Sequence, residues 1–148
     1  MESSPVVPLN ALGLPTKGYF KATIQGRNDL ISDSPFIDLV ANTYIAVREE
    51  LPNGYRILII STPKTLINGL YNVDQNWDAS GITVWYLDRP LGNDPSTYKD
   101  YKPSGGRIKF DYYPTHKSYE ATFELEAQLL DGKEKLKVEG AFKFEVVS

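Results

Sequence analysis

The chain has 148 residues, the size of a single domain, and a formal net charge of −3. This near balance of charge leaves no basic stripe, so nucleic acid is not an expected partner. The sequence contains no run of the roughly 18–20 apolar residues that a membrane-spanning helix needs. Cysteine is absent, which excludes disulfides, thiol catalysis and zinc–thiolate sites.

Residues 1–17 carry Pro5, Pro8 and Pro15 and lack periodicity, so we expect a lead-in or tether before one all-β domain at 18–148. The polar, proline-bearing start indicates a chain that follows a removed signal, as in a lipoprotein trimmed after its lipidated cysteine. A natural cytoplasmic start is the alternative.

The first half of the domain predicts three strands. Residues 18–25 alternate between apolar and polar side chains, and residues 26–29 form a turn. Residues 36–48 are rich in β-branched and aromatic side chains and predict a strand that is broken near Asn42. After a turn signature at residues 51–54, residues 55–61 are apolar on both faces, which is typical of a central strand or of a short buried helix.

The middle of the chain mixes short strands with loops. Residues 62–69 predict a connector with one helical turn at most, residues 70–73 a short strand, and residues 82–87 a further strand. Residues 74–81 predict a polar loop. Residues 89–104 predict a long loop with one edge strand around Tyr98, and loops of this length are often functional.

The last forty residues predict a three-stranded antiparallel meander that starts at Arg107. The second and third strands alternate cleanly on either side of Asp131-Gly132, a dipeptide that suits a two-residue hairpin turn. Such a turn makes the paired residue numbers sum to 263, so that Leu125 faces Val138 and Glu120 faces Lys143. Phe123 then faces Gly140, which predicts either a bulge or a gap that the ring covers.

Together these elements predict an all-β fold, an antiparallel β-sandwich or β-barrel of about eight to nine strands that ends in the meander. The alternation at the C-terminus indicates a sheet with one surface in solvent. Alternation alone leaves the choice between sandwich and barrel open.

The C-terminal half resembles a family of uncharacterised secreted or lipid-anchored bacterial β-domains of the Bacteroidetes type. The resemblance is carried by residues 106–110, 120–125 and 138–142, and by the Asn68-Gly69-Leu70-Tyr71 step. The chain departs from the family at Ala121, where the family usually has glycine. The resemblance implies a periplasmic or outer-membrane-anchored location and a binding or structural role, and it carries no catalytic residues.

Catalytic side chains are scarce. The single histidine, His116, lies in a predicted turn, which disfavours a serine–histidine triad. A glycoside hydrolase that uses two carboxylates remains an alternative. The candidates for that pair are Asp74, Asp78, Asp88, Asp94, Asp100 and Asp111.

No metal or other cofactor is predicted, although residues 74–80 place oxygen ligands as at the front of a calcium loop. In an EF-hand loop that starts at Asp74, Ala79 and Trp85 would occupy the positions of the glycine and the final glutamate. We therefore expect an ordinary polar loop there, with calcium left open.

Exposed aromatic rings are the best candidates for a binding site, because protein- and sugar-binding surfaces both use rigid amphipathic rings. Trp85 and Tyr86 should divide between core and surface. Core packing should claim at least half of the seven candidate rings, which are Trp77, Trp85, Tyr86, Tyr98, Tyr101, Tyr112 and Tyr113. Residues 98–101, in the long loop, are expected to be the most exposed group. The predicted ligand-binding residues are Trp77, Trp85, Tyr98, Tyr101 and Tyr113.

The sequence therefore favours a non-enzymatic binding or interaction domain of the bacterial envelope, with a protein or carbohydrate ligand and an immunity-type role as one form of it. The first alternative is a lipocalin-like carrier with a cavity of several hundred Å3 for an apolar molecule. The second is the carboxylate glycosidase. The oligomeric state stays open.

Overall fold

The structure, a computed structural model, describes residues 14–39, 42–63, 67–73 and 81–147. Within this part of the chain the secondary structure is ten strands and one short 3-10 helix at Pro95–Thr97. The strands are β1 (Thr16–Ile24), β2 (Leu30–Ser32), β3 (Phe36–Asp38), β4 (Thr43–Glu50), β5 (Tyr55–Thr62), β6 (Gly69–Asn72), β7 (Thr83–Arg89), β8 (Lys99–Tyr113), β9 (Ser118–Leu129) and β10 (Lys135–Val146). None of the described residues belongs to a helix with the length and apolar character to span a membrane. The all-β prediction is confirmed.

The strands form one antiparallel sheet that curls into a half-barrel. Its order is β2-β1-β10-β9-β8-β7-β5-β4-β3, and β6 pairs with β8 beside β7. The strands at the two ends of this order, β2 and β3, are joined by residues 33–35 alone, so the sheet has to curl. The amide of Leu14 donates to the carbonyl oxygen of Ile37 at 3.0 Å, and this bond links the start of β1 to β3.

The predicted meander and its register are confirmed over the whole β9–β10 pair. Leu125 pairs with Val138, Glu120 with Lys143 and Phe123 with Gly140. The strands show no bulge at Gly140, because the Phe123 ring covers the space where a side chain would stand. The predicted two-residue turn is wrong: Leu129 N–H donates to the carbonyl oxygen of Glu134 at 2.8 Å, and the four residues between them form the loop.

The last part of the predicted long loop at residues 89–104 is strand, because β8 begins at Lys99, whereas residues 90–98 form a loop that contains the 3-10 helix. The predicted edge strand around Tyr98 corresponds to the start of β8, but this strand is internal because both β7 and β9 pair with it. Its continuation into the meander was not predicted, since Pro103 and two glycines interrupt the alternation. The register shifts between Pro103 and Gly105, which marks a bulge. Gly106 follows at φ +137°, and a Cβ there would lie 2.5 Å from the carbonyl oxygen of Glu124. Only glycine allows β8 and β9 to approach this closely, so the break in the pattern is a bend within one strand.

The other predicted strands are found with shifted ends. β1 starts at Thr16, inside the predicted lead-in, and the predicted strand at 36–48 divides into β3 and β4 with Asn42 between them. β5 is the expected central strand and is buried at every position. The short β2 carries no period-two signal and was not predicted.

Both faces of the sheet bury apolar side chains near β5. The interior face holds the main core. In this core the Phe142 ring lies 5.4 Å, between centroids, from both the Phe20 ring and the Phe144 ring. A second cluster, which includes Ile59 and Trp85, is buried on the outer face of β4, β5 and β7. The expectation that Trp85 and Tyr86 divide between core and surface is therefore wrong, because this part of the sheet is covered on both sides.

Candidate functional site

Outward-facing side chains of β8, β9, β10 and β1 line up in rows across the sheet. Because the four strands pair in sequence, each outward residue has a partner directly beside it on the next strand. Four such rows are Tyr113–Ser118–Glu145–Lys17, Asp111–Glu120–Lys143–Tyr19, Lys109–Thr122–Ala141–Lys21 and Arg107–Glu124–Glu139–Thr23. This surface is the solvent face that the alternation of the meander predicted.

A cavity of about 660 Å3 lies over two of these rows, the ones that start at Lys109 and Arg107 on β8. Its floor consists of small residues on β9 and β10, Thr122 and Ala141, together with Gly140. Lys21 on β1 and Lys109 on β8 stand on either side of that floor. Large side chains beside small ones make the depression, so its position follows from the register.

A second cavity, of about 700 Å3, lies over the rows that start at Tyr113 and Asp111 on β8, and it shares Tyr19 with the first cavity. Ser118 and Lys143 lie in its floor, and Tyr113 and His116 line the side formed by the β8–β9 turn. We call the two together the outer groove. Three strand spacings separate β8 from β1, a width of about 14 Å, and the rows from residue 118 to residue 124 extend for about 20 Å.

Two aromatic rings stand at opposite walls of the outer groove. Tyr19 on β1 is 51% exposed and Tyr113 on β8 is 43% exposed. The Tyr113 hydroxyl donates to Glu120 Oε1 at 3.2 Å, and this hydrogen bond raises the pKa of Tyr113. The bond ties the edge of the ring to the floor of the groove and leaves the ring accessible.

Charges in the groove nearly cancel. Five lysine and arginine side chains and four glutamates lie among the described residues that line it. The basic set is Lys17, Lys21, Arg107, Lys109 and Lys143, and the acidic set is Glu120, Glu124, Glu139 and Glu145. Such a mixture does not select a ligand with many charges of one sign.

A second concentration of polar groups closes the interior of the half-barrel at the end where the β1–β2, β4–β5 and β9–β10 turns lie. We call this group, consisting of Arg27, Glu49, Arg56, Asp88, Tyr101 and Glu134, the polar cap. Arg27 Nη2 donates to the Tyr101 hydroxyl at 3.0 Å, and its Nε lies 3.5 Å from Asp88 Oδ2. The Tyr101 hydroxyl in turn donates to Glu134. This bond lowers the pKa of Glu134, whereas burial and then the same bond raise the pKa of Tyr101.

Arg56 is the most deeply buried charge of the polar cap. It lies between Glu49 and Asp88 in the strand register. Its Nη2 donates to Glu49 Oε2 at 3.1 Å and to the carbonyl oxygen of Asp29 at 2.9 Å. The guanidinium also lies beside Tyr86, whose pKa is raised by burial against the opposing effect of Arg56. A buried arginine with these partners stabilises the closed end and is not available to a ligand.

On the outer face of the same end, Arg89 binds Asp100 through two hydrogen bonds, of 3.2 and 2.9 Å. Its Nη1 donates to the Tyr55 hydroxyl at 2.9 Å. The guanidinium also lies 4.4 Å from the centroid of the Tyr98 ring. These contacts hold residues 90–98 against the sheet.

The predicted ligand-binding residues that the structure describes do not form one site. Trp85 and Tyr101 are fully buried and Tyr98 is half-buried against Arg89, so these three are packing residues. The expectation that residues 98–101 form the most exposed group is wrong, because β8 begins there and pairs with β7. Tyr113 lies exposed in the outer groove, and Trp77 lies outside the described residues.

Among the described residues, the carboxylates proposed for a glycosidase do not converge on one site, and Asp111 lies on the outer surface beside Glu120, away from Asp88 and Asp100. Asp88 faces the interior and meets Arg27, whereas Asp100 faces outward and binds Arg89. Asp94 accepts hydrogen bonds from Ser96 at the start of the 3-10 helix. Asp74 and Asp78, together with the calcium-like loop at residues 74–80, lie outside the described residues.

Sequence reasoning missed two contributors to the groove, Tyr19 and Lys21. Both alternate with the buried residues of β1, which was the available signal. Their place beside the meander depends on the pairing of β1 with β10, residues more than a hundred positions apart. His116 is exposed in its turn, as predicted, and lies at the groove.

No protein-family model, curated protein or solved structure matches the chain. No related protein therefore indicates a function for the outer groove. The resemblance to bacterial envelope β-domains stays a prediction.

Proposed function

We propose that the protein is a non-enzymatic binding module of the bacterial envelope, and that its outer groove binds an extended, uncharged carbohydrate chain. One observation carries this proposal: two open cavities join at Tyr19 along the same four strands, with exposed tyrosine rings at both walls. The groove is open at the surface and longer than it is wide, which suits a polymer.

The chemistry of the groove supports a carbohydrate. Tyrosine rings offer flat apolar faces to the C–H surface of a sugar, and their hydroxyls remain able to hydrogen bond. Lysine, glutamate, serine and threonine side chains between the rings supply donors and acceptors for sugar hydroxyls. Because the charges of the groove nearly cancel, a neutral chain is favoured over a polyanion.

A binding role is favoured over catalysis by the state of the described carboxylates. Asp88 and Asp100 are engaged by arginines on opposite faces of the sheet. Glu124 and Glu139 are neighbours on paired strands, so their side chains extend side by side from the groove floor and do not face each other across a cleft. A glycosidase needs two carboxyl groups that face each other across one bond. These observations favour binding over catalysis. The envelope location is supported by the resemblance alone, and cell fractionation of the native producer tests it.

The test is a titration of the protein with neutral oligosaccharides from bacterial envelope and plant cell-wall sources, followed by amide chemical shifts. We expect shifts at Thr122, Ala141 and Ser118, in the floor of the groove. Tyr19→Ala and Tyr113→Ala should each weaken binding about two- to tenfold, which corresponds to about 0.5–1.5 kcal/mol for a ring contact. Leu91→Ala is the matched control, since Leu91 is 42% exposed and lies outside the groove.

A protein partner is the second candidate, and Leu70 favours it. This side chain is 61% exposed at the wall of the groove, where a carbohydrate would gain little from it. Capture from an envelope extract with wild-type protein and with Leu70→Ser separates the two ideas. A partner lost with Leu70→Ser, together with no oligosaccharide binding, would replace the carbohydrate proposal by the protein one.

A further inference from the structure

At the end of the half-barrel opposite the polar cap, the described residues leave a cavity of about 240 Å3, which we call the mouth. It is lined by Leu39, Thr43, Thr62, Pro63, Phe110, Tyr112 and Tyr119. Each of these side chains is buried or half-buried, so the cavity is recessed. It lies on the interior face and is separate from the outer groove.

One side of the mouth is aromatic and belongs to β8 and β9. The Tyr112 and Tyr119 rings lie 4.6 Å apart between centroids, and Phe110 lies 6.2 Å from Tyr119. Phe144 stacks on Tyr119 from the core side at 5.6 Å, so the aromatic wall is supported from behind. A wall of packed rings accepts another flat ring and is rigid enough to keep its shape.

The facing side is formed by two buried threonines. Thr43 and Thr62 lie directly opposite each other on β4 and β5. The Thr62 hydroxyl donates to the carbonyl oxygen of Pro63 at 3.3 Å. A hydroxyl that donates still has lone pairs with which to accept, so this wall can receive an N–H or O–H group.

The mouth therefore combines a ring wall with an acceptor wall, and none of the described residues that line it is charged. An ionic ligand would lose its hydration there without gaining a partner of opposite charge. For comparison, an apolar cavity of about 150 Å3 holds a benzene ring, so the size of the mouth suits one ring or two fused rings.

We propose that the mouth binds a small, uncharged aromatic molecule that carries one hydrogen-bond donor. This site is independent of the outer groove, because the two lie on opposite faces of the sheet. The middle of the interior is filled by phenylalanine rings, so the ligand is held at the entrance and not in a deep central cavity.

Indole and benzofuran are matched probes for this proposal, since they share a fused-ring shape and only indole has the N–H donor. We expect saturable binding of indole with a dissociation constant below about 1 mM. Intermolecular nuclear Overhauser effects should connect indole to Phe110 and Tyr119 in the wild-type protein. Benzofuran should bind about two- to tenfold more weakly, the contribution of one neutral hydrogen bond.

Two variants of the threonine wall separate the effect of shape from that of polarity. Thr62→Phe should fill the mouth and abolish indole binding, and Thr62→Val combined with Thr43→Val should remove the preference for indole over benzofuran. Tyr113→Ala, in the outer groove, should leave indole binding unchanged. Absence of saturable binding up to the solubility of indole, or Overhauser effects from indole to residues away from the mouth, would overturn the proposal without touching the carbohydrate proposal. The Overhauser measurement on the wild-type protein needs no variant, so it tests whether indole binds in the mouth even if Thr62→Phe does not fold.

Discussion

Gly140 is the position at which the interior packing can be tested most directly. The Phe123 ring covers it from the paired strand. A Cβ at residue 140 would lie 2.4 Å from Phe123 Cζ and 2.8 Å from the carbonyl oxygen of Lys21. The ring has little room to retreat, because the Phe20 ring lies behind it at a centroid separation of 6.2 Å.

The expected cost of Gly140→Ala follows from two opposing effects. Forcing one extra carbon into packed surroundings costs about 1–3 kcal/mol. Alanine also restricts the unfolded chain more than glycine does, which offsets about 0.4–1 kcal/mol. We therefore expect the free energy of unfolding to fall by about 1–2 kcal/mol, from the difference between the middle values of these two ranges.

Urea unfolding, followed by tryptophan fluorescence, measures this loss. Gly105→Ala is the matched control, because a Cβ there would meet nothing within 4 Å. Phe123→Leu should relieve part of the clash, so that Gly140→Ala costs about 1 kcal/mol less in that background. If the cost of Gly140→Ala is the same in both backgrounds, the ring does not cover the glycine and the account of the register is refuted.

Three further predictions concern the polar cap and the groove. Arg56→Met, which keeps the apolar stem and removes the bonds to Glu49, should destabilise the protein by about 2–3 kcal/mol in urea unfolding; a loss below about 1 kcal/mol would show that the cap is not held by this arginine. Glu134 has a pKa held below its ordinary value of 4.5, chiefly by Tyr101, and a carboxylate of this kind contributes stability that is complete above the ordinary pKa and lost as the pH falls through the lowered one. The difference in free energy of unfolding between wild type and Glu134→Gln should thus be constant near neutral pH and shrink below pH 4.5. A difference that stays the same across this pH range would contradict the prediction. Tyr113→Ala should change the free energy of unfolding by no more than about 0.5 kcal/mol, because the ring is exposed; a larger loss would make Tyr113 a structural residue.

The predictable part of the fold was the part in which neighbours in the sheet are neighbours in sequence. β9 and β10 are joined by a short loop, so alternation on both sides of it was enough to give the register down to Phe123 and Gly140. The turn itself was predicted too tight, but a four-residue loop around the same centre leaves every pairing in place. Register survives such an error because it depends on the side-chain pattern of both strands.

The unpredicted part has a common physical cause, which is that its order comes from distant strands. β2 is three residues long and is a strand because β1 pairs with it. Lys99 to Pro103 was predicted to be at most an edge strand within a long loop, yet β7 and β9 pair with it from both sides. The candidate groove has the same origin, since Tyr19 lies beside Lys143 only after β1 joins β10.

That pairing of the first and last strands also brings the two ends of the described chain together. The carbonyl oxygen of Pro15 accepts a hydrogen bond from the amide of Val147 at 2.9 Å, so the two ends of the described chain leave from one pole, beside the mouth. A domain held at a surface through its N-terminal side would stand with the polar cap outermost and the groove on its flank. In that orientation, the groove would face a long polymer that lies parallel to the surface.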